Sequence, residues 1–356
     1  MDTHTQPRVV IVGGGIAGLS VAKSLSGNGL ACTLIEKKNN LGGHVRTWAC
    51  MAADQCLRCY CCTVEDLVDA VESSESVVIL TGCELEALQR SGEGAFSVRI
   101  KDIGDGSAQT VDAAAVVIAA GFTPYDPSEK VFWGYGLHDG VVTLNELDML
   151  VRQDDLAGFV GETNKPLRLA FFQCVGSRDS SIGANYCSRY CCKGALRMAL
   201  RLRRDHSDWE ITIFYIDLQI AGKFAGSLLS LAREGNIRLV QGVPGEITAL
   251  EDGALEIRRE EAGLNVREAY DRIVLSVGQH PLPEAKRLAS MAGVETDGFG
   301  FLSARGIQDP CRTQADGVYV AGTICGAKDI EQTVEHAGQT AAAILADLKG
   351  LRTKSS

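Results

Sequence analysis

Short apolar runs, each closed by a glycine turn or followed by a helical stretch, recur along this chain and predict an α/β protein. Val9, Val10, Ile11 and Val12 form the first run, followed by Gly13-Gly14-Gly15-Ile16-Ala17-Gly18. Leu19 to Leu25 then has apolar residues at helical spacing, and Leu30 to Ile35 reads as a second strand ending at Glu36. Together these make a β-α-β unit. Val64 to Val71 reads as a helix, Val77 to Leu80 as a strand, and residues 85 to 118 as β-rich, ending in the apolar run Val116 to Ala120 and Gly121. A second α/β unit begins near Lys165, with a strand over Leu167–Phe172, a helix from about Lys193 to Arg204 and a strand over Ile211–Ile216. Ile237 to Val240 and hairpin material through Val266 follow, and Ile273 to Gly278 repeats the strand-then-glycine pattern. The last unit runs from Gly317 to Gly322 and into a helix over Ile330–Leu348. This order predicts a Rossmann-type domain interrupted by a second α/β domain: a first part over 1–164, an inserted domain over 165–271, and a return over 272–356.

Composition narrows the function classes. A hydrophobic fraction of 46% over 356 residues is enough for a substantial core. The net charge of -10 argues against nucleic acid or an anionic membrane surface as partner. No apolar run reaches the roughly 18 residues of a membrane helix, so direct membrane insertion is not expected. The polar stretch Met1 to Arg8 has no signal-peptide pattern. The thirteen cysteines are an odd number in a chain with its own core. They point to metal or redox work in a cytoplasmic setting rather than to a disulfide scaffold.

The first β-α-β unit carries a dinucleotide fingerprint. Gly13 permits the tight turn, Gly15 lets backbone approach a pyrophosphate, and Gly18 lets helix and strand pack closely. The helix start at Ile16 and Ala17 favours negative charge, and Glu36, beside Lys37, can accept ribose hydroxyls. Leu41-Gly42-Gly43-His44-x-Arg46 resembles the second glycine pair of FAD-binding disulfide-reductase-like flavoproteins, where this segment wraps the pyrophosphate. Gly317 to Gly322 with Thr323 resembles their third FAD contact, although Asp is usual where Thr323 stands. These resemblances imply FAD held by Gly13, Gly15, Ile16, Ala17, Gly18, Glu36, Lys37, Gly42, Gly43, His44, Arg46, Gly121, Gly322 and Thr323. Lys328 is a candidate for tuning the flavin by its positive charge.

Where a second glycine fingerprint would follow the strand Leu167–Phe172, cysteines stand instead. Cys174, Cys187, Cys191 and Cys192 have the spacing C-x12-C-x3-C-C. It is neither a zinc-finger nor a bacterial ferredoxin spacing. On spacing alone an iron–sulfur cluster, zinc, a redox dithiol and buried structural cysteines all remain open. The runs Gln173-Cys174-Val175-Gly176-Ser177-Arg178-Asp179 and Tyr186-Cys187-Ser188-Arg189-x-Cys191-Cys192 closely resemble the A-type subunit of heterodisulfide reductases. So do Gly121-Phe122-x-Pro124-x-Asp126-Pro127, Ile213-Phe214-Tyr215-x-Asp217 and Lys328-Asp329-Ile330. This resemblance implies a [4Fe–4S] cluster on Cys174, Cys187, Cys191 and Cys192 beside FAD, in a thioredoxin-reductase-like fold. It also implies an oxidoreductase subunit working with B- and C-like subunits, as a homodimer, in the short form found in complexes of sulfur oxidisers. There a lipoate-binding protein is the implied sulfur carrier.

Three rival readings are carried. One is the flavoprotein subunit of a quinone-linked sulfate-reduction complex. Another is a self-sufficient NAD(P)H-dependent disulfide reductase. The third is a non-redox nucleotide-binding scaffold. A second cysteine group, Cys56, Cys59, Cys61 and Cys62, has no assigned role: metal, a redox pair or an inert set each fit.

Overall fold

The computed structural model describes residues 8–52, 56–92, 95–161 and 165–354. Most of Met1–Arg8, which carries the absence of a signal-peptide pattern, lies outside them. The chain divides into two compact units: residues 1–46, 60–123 and 281–356, and residues 47–59 and 124–280.

In the first unit, β1 (Arg8–Val12), α1 (Ile16–Ser26) and β2 (Ala31–Glu36) form the expected β-α-β arrangement, with Arg8 to Val12 in parallel register with Ala31 to Ile35. α2 (Thr63–Glu72), β3 (Val77–Thr81) and β4 (Ala115–Ile118) follow. The sheet order is Val318–Val320, β4, β1, β2, β3, all parallel. β1, β2 and β4 are almost wholly buried, as strands covered on both faces should be. The β-rich stretch between β3 and β4 is a three-stranded antiparallel sheet of Cys83–Ser91, Ala95–Asp102 and Ala108–Ala113. Leu85, Phe96, Val98 and Ile100 from that sheet share a core with Val10, Val116 and Ile118. The closing helix, Ile330–Lys354, packs on α1.

The second unit is another parallel sheet. Its strands are β5 (Val141–Thr143), β6 (Arg168–Val175), β7 (Glu210–Tyr215), β8 (Arg238–Gln241) and β9 (Arg272–Val277). Their order is β8-β7-β6-β9-β5. α3 (Leu144–Gln153) is opened by a capping box in which Thr143 and Glu146 satisfy each other's backbone donors, and α4 (Cys191–Asp205) runs between β6 and β7. This division differs from the boundaries expected at 164 and 271. β5 pairs with β9, which draws the stretch after Pro124 into the second unit, and Ala49 and Met51 join the core formed by α3, α4 and β6.

Candidate functional sites

The dinucleotide turn is built by close approach. A side-chain carbon at Gly13 would sit 2.4 Å from Ala119 O, and one at Gly18 would sit 1.9 Å from Gly13 O. Gly15 takes the N-cap position of α1 with extended backbone and no capping side chain, so the first N–H groups of α1 remain available to an anion. Gly42 N donates to Gly14 O at 2.8 Å, which brings the second glycine pair against the first. Glu36 is buried, with Oε2 accepting from Gly14 N at 2.7 Å and Oε1 from Lys38 N at 2.8 Å. Each oxygen keeps a lone pair for a ribose hydroxyl.

The other expected contacts fall out differently. Ile16 and Ala17 open α1 and are buried. His44 packs its ring 4.6 Å from Phe122, and its Nε2 lies 3.0 Å from Phe122 O. Burial holds the His44 imidazole below its ordinary pKa. Arg46 donates to Leu41 O at 3.0 Å and so braces the glycine pair. Lys37 forms an ion pair with Glu284 at 2.8 Å. No atom lies within 4 Å of a side chain placed at Gly121, which leaves space after β4. Gly322 and Thr323 form a short 3-10 turn. Lys328 Nζ lies 3.2 Å from Gly326 O and 3.6 Å from Cys325 Sγ. His336 was not singled out from the sequence, because its partners Gly322 and Pro310 lie 14 and 26 residues away. These residues fit a dinucleotide: an uncapped helix start, a buried acid with spare lone pairs and an open space beyond the turn.

In the second unit the exit of β6 carries Cys174. The pairing of β6 with β9 shifts register between Phe172 and Val175, and Cys174 takes the left-handed conformation at φ 62°. This bulge re-aims the side chain at the sheet's C-terminal edge. Gly176 follows at φ 73°, where a side chain would strike the Tyr125 ring at 2.0 Å. Ser188 and Tyr190 tie the next loop to the end of β9: Ser188 Oγ accepts from Gln279 N at 2.8 Å, and Tyr190 OH donates to Val277 O at 2.8 Å. α4 then opens with Cys191 and Cys192, two residues before its expected start.

These elements bring three of the four thiols of the sequence reading together, Cys174, Cys191 and Cys192. The Cys191 thiol, with one proton to donate, is within hydrogen-bond reach of the sulfurs of both Cys174 and Cys192. It holds those two sulfurs toward the thiolate, while its own proton is held more tightly. Cys187, raised by burial, feels the charges of Cys174 and Cys192, and its sulfur accepts from Arg189 N at 3.3 Å. Arg178, in a two-pronged pair with Asp217, adds positive charge beside Cys174. Gln173 Oε1 and Ser177 Oγ, on either side of Cys174, are buried without a hydrogen-bond partner. Among the described residues no three His, Cys, Asp or Glu side chains are set as a ready metal cage. The donor chemistry nonetheless fits a soft, thiolate-held group.

The second cysteine group is divided between the two units. Cys56 and Cys59 belong to the second unit and Cys61 and Cys62 to the first, with Cys61 buried and Cys62 exposed at the start of α2. Among the described residues, no helix is long and apolar enough to cross a membrane.

Comparison with known proteins defines the class first. A family profile described as an NAD(P)-binding Rossmann-like domain matches residues 11–61. The thioredoxin reductase of Lactococcus lactis aligns over 96% of this chain and 98% of its own, with a TM-score of 0.61 and 18% identity. That of T. acidophilum aligns over 95% and 97%, with a TM-score of 0.59 and 19% identity. The fold is therefore the thioredoxin-reductase-like one expected from the sequence. Within it, the chain is similar to the A-type subunits of heterodisulfide reductases. It is 34% identical to the A-type subunit of the H(2):CoB-CoM heterodisulfide,ferredoxin reductase of Methanothermobacter thermautotrophicus, over 67% of this chain and 38% of that one. It is 27% identical to the A-type subunit of the ferredoxin:CoB-CoM heterodisulfide reductase of Methanosarcina acetivorans, over 94% of this chain and 56% of that one. It is thus a flavoprotein of the heterodisulfide-reductase A type that spans about half or less of these relatives' length.

Proposed function

We propose that this protein is an FAD- and [4Fe–4S]-containing oxidoreductase subunit that passes electrons within a heterodisulfide-reductase-like complex, in sulfur oxidation. The observation that carries the reading is the gathering of Cys174, Cys191 and Cys192, with Cys187 close by, at the very strand exit where a pyridine-nucleotide fingerprint would otherwise stand. When bound, FAD exchanges one or two electrons and a [4Fe–4S] group one at a time, which links a two-electron thiol reaction to single-electron carriers.

The chain's own residues supply the setting. The start of α1 and the paired turns at Gly14 and Gly42 hold the pyrophosphate, and Glu36 takes the ribose. Lys328 offers positive charge to a reduced flavin. The thiols of Cys174, Cys187, Cys191 and Cys192 give up their protons to hold iron, helped by Arg178. B- and C-like subunits are the partners this reading calls for, with a lipoate-binding protein delivering the thiol. A homodimer is the assembly state that goes with it. A self-sufficient NAD(P)H reductase finds no support at the exit of β6, where Cys174-Val175-Gly176-Ser177 lacks spaced glycines.

The test is reconstitution with FAD, iron and sulfide, followed by visible and EPR spectra. Bound flavin with an iron–sulfur signal is expected. Flavin without iron, all four cysteines being intact, overturns the cluster. Rapid bleaching of the flavin by NADH or NADPH alone overturns the electron-transfer reading. Reduction of the flavin by a dithiol-loaded lipoate-binding protein, in the presence of the B- and C-like subunits, supports the sulfur-oxidation assignment, and its absence removes it.

A further inference from the structure

A cleft of about 400 Å³ opens at the carboxyl ends of β5 and β9, among residues to which neither cofactor was assigned. Thr143 closes β5 there and Val277 closes β9. Ligand sites of open α/β sheets gather at such strand ends, and the volume suits a small molecule. The walls hold two carboxylates, Asp126 and Glu146, and two phenols, Tyr125 and Tyr135. Among the described residues that line the cleft, none is Lys, Arg or His.

Two of these residues carry a polar atom with nothing to bond. Tyr125 is 4% exposed, and its hydroxyl is buried without a hydrogen-bond partner among the described residues. Asn145 Oδ1, on the first turn of α3, is in the same state. Water does not reach either atom, so each gains only from a partner that the cleft brings to it. The Tyr125 backbone is fixed, its N–H donating to Gly278 O at 2.9 Å. The carboxylates are held ready. Glu146 Oε1 accepts from Tyr135 OH at 2.8 Å, and Oε2 accepts from Thr143 N at 2.7 Å and Thr143 Oγ1 at 2.8 Å. Glu146 therefore already answers the positive end of α3. Asp126 Oδ1 accepts from Ser128 N at 2.9 Å. Burial first, and then the charges of Glu129, Asp179 and Asp126, push the Tyr125 phenol up to about 12. Burial and Glu146 do the same to Tyr135. Both phenols are thus neutral near pH 7, in a field that is negative. The ammonium of Lys130 is engaged by Asp179 and, at 2.7 Å, by Ser181 Oγ.

We propose that this cleft binds a small organic ammonium ion, a primary amine with a hydroxyl at its far end. Asp126 and Glu146 supply the opposite charge, and the tyrosine rings offer electron-rich faces to a cation. The N–H groups of the ligand give Asn145 Oδ1 the donor it lacks, and the hydroxyl of the ligand pairs with that of Tyr125. An anion would meet two carboxylates and no base. A metal ion fits less well than an amine. Glu146 spends both oxygens on Tyr135 and Thr143, and among the described residues no three His, Cys, Asp or Glu side chains form a cage.

This goes beyond the electron-transfer reading and requires neither flavin nor iron. The test is calorimetric titration of the full chain with ethanolamine hydrochloride at neutral pH. Saturable binding with a Kd of about 1 mM is expected. Tyr125→Phe removes only the hydroxyl. It is expected to weaken binding about fivefold, while the melting temperature of the chain alone stays level or rises, because an unpaired buried group has gone. Asp126→Asn keeps an acceptor for Ser128 N and removes the charge, and is expected to weaken binding about tenfold. Absence of saturable binding at about 10 mM, or an affinity unchanged in either variant, overturns the proposal. A lower melting temperature in Tyr125→Phe also overturns it, since the hydroxyl then has a partner already. Sodium acetate and calcium chloride are the controls. Saturable binding of either, weakened by the same two substitutions, overturns the assignment to an amine. Should Tyr125→Phe fail to fold, Asp126→Asn and the controls decide.

Discussion

The main-chain N–H of Gly322 donates to Nδ1 of His336 at 3.0 Å, and Nε2 of the same ring lies 2.9 Å from the carbonyl oxygen of Pro310. Because Nδ1 accepts, the ring proton must sit on Nε2, and the imidazole is neutral. Burial holds its pKa below the ordinary 6.5.

Two outcomes are expected from that pair. His336→Ala leaves the Gly322 N–H without its partner and is expected to cost about 1–3 kcal/mol in urea unfolding, with weaker FAD retention. The second outcome concerns pH. His336 and His44 are both lowered on folding by burial, so below the ordinary histidine value the unfolded chain binds more protons than the folded one. The contribution of these two histidines to stability is therefore expected to be flat from neutral pH down to about 6.5 and to fall as the pH is lowered further. His336→Gln should flatten part of that fall, which thermal melts across the range would show.

Gly18→Ala is expected to be severe. Its methyl would have to occupy a place 1.9 Å from Gly13 O, so β1 and α1 must separate. Overpacking of this kind costs about 1–3 kcal/mol or more. Soluble yield and flavin content should fall together, whereas Gly92→Ala, with no atom within 4 Å, should keep both apart from a modest backbone strain.

Iron content should separate the cysteines by place. Cys174→Ser is expected to lose most of the iron after reconstitution while retaining flavin, because the proposed function assigns the two groups to different elements. Cys83→Ser, in the core of the first unit, should bind iron as the parent does. Iron quantitation beside the flavin absorbance decides the matter.

Glu268 anchors the last strand of a three-stranded antiparallel sheet formed by Ile247–Ala249, Leu255–Glu261 and Leu264–Tyr270. It accepts from Arg238 at 2.6 and 3.0 Å, from Arg259 at 2.7 Å and from Tyr270 OH at 2.6 Å. The Arg238 guanidinium holds its carboxyl down to about 2. A depressed carboxylate contributes stability above its unfolded value and loses it as the pH falls toward about 2. Glu268→Gln is expected to cost about 1–3 kcal/mol at neutral pH and less in acid, measured by denaturant titration at the two pH values.

What the sequence disclosed follows the range of the interactions involved. The turn at Gly13, Gly15 and Gly18, with Glu36 at the end of β2, was legible because strand, turn, helix and strand are contiguous. The fold class followed from the same local order. Cys174, Cys187, Cys191 and Cys192 were grouped by the resemblance and not by their spacing, and the bulge that turns Cys174 left no mark in the apolar pattern. His336 was not legible: it meets Gly322 and Pro310 from 14 and 26 residues away. Asp148 resembled any acid of an amphipathic helix, and only the return of Ala49 over α3 buries it. Lys37 stood beside Glu36 in sequence, but its side chain turns to Glu284, 247 residues on.

One helix ties Cys191 and Cys192 to the backbone beside Cys56. α4 begins at Cys191 and Cys192 and, along its next turns, grips the carbonyls of Leu57, Arg58, Cys50 and Ala52 through Arg197, Arg201 and Arg204. A ligand that orders the first turn and the grip on those carbonyls are thus linked equilibria, and linkage is reciprocal. Whatever loads and steadies the first turn must tighten those contacts, and whatever breaks them must loosen the hold on the load by the same factor.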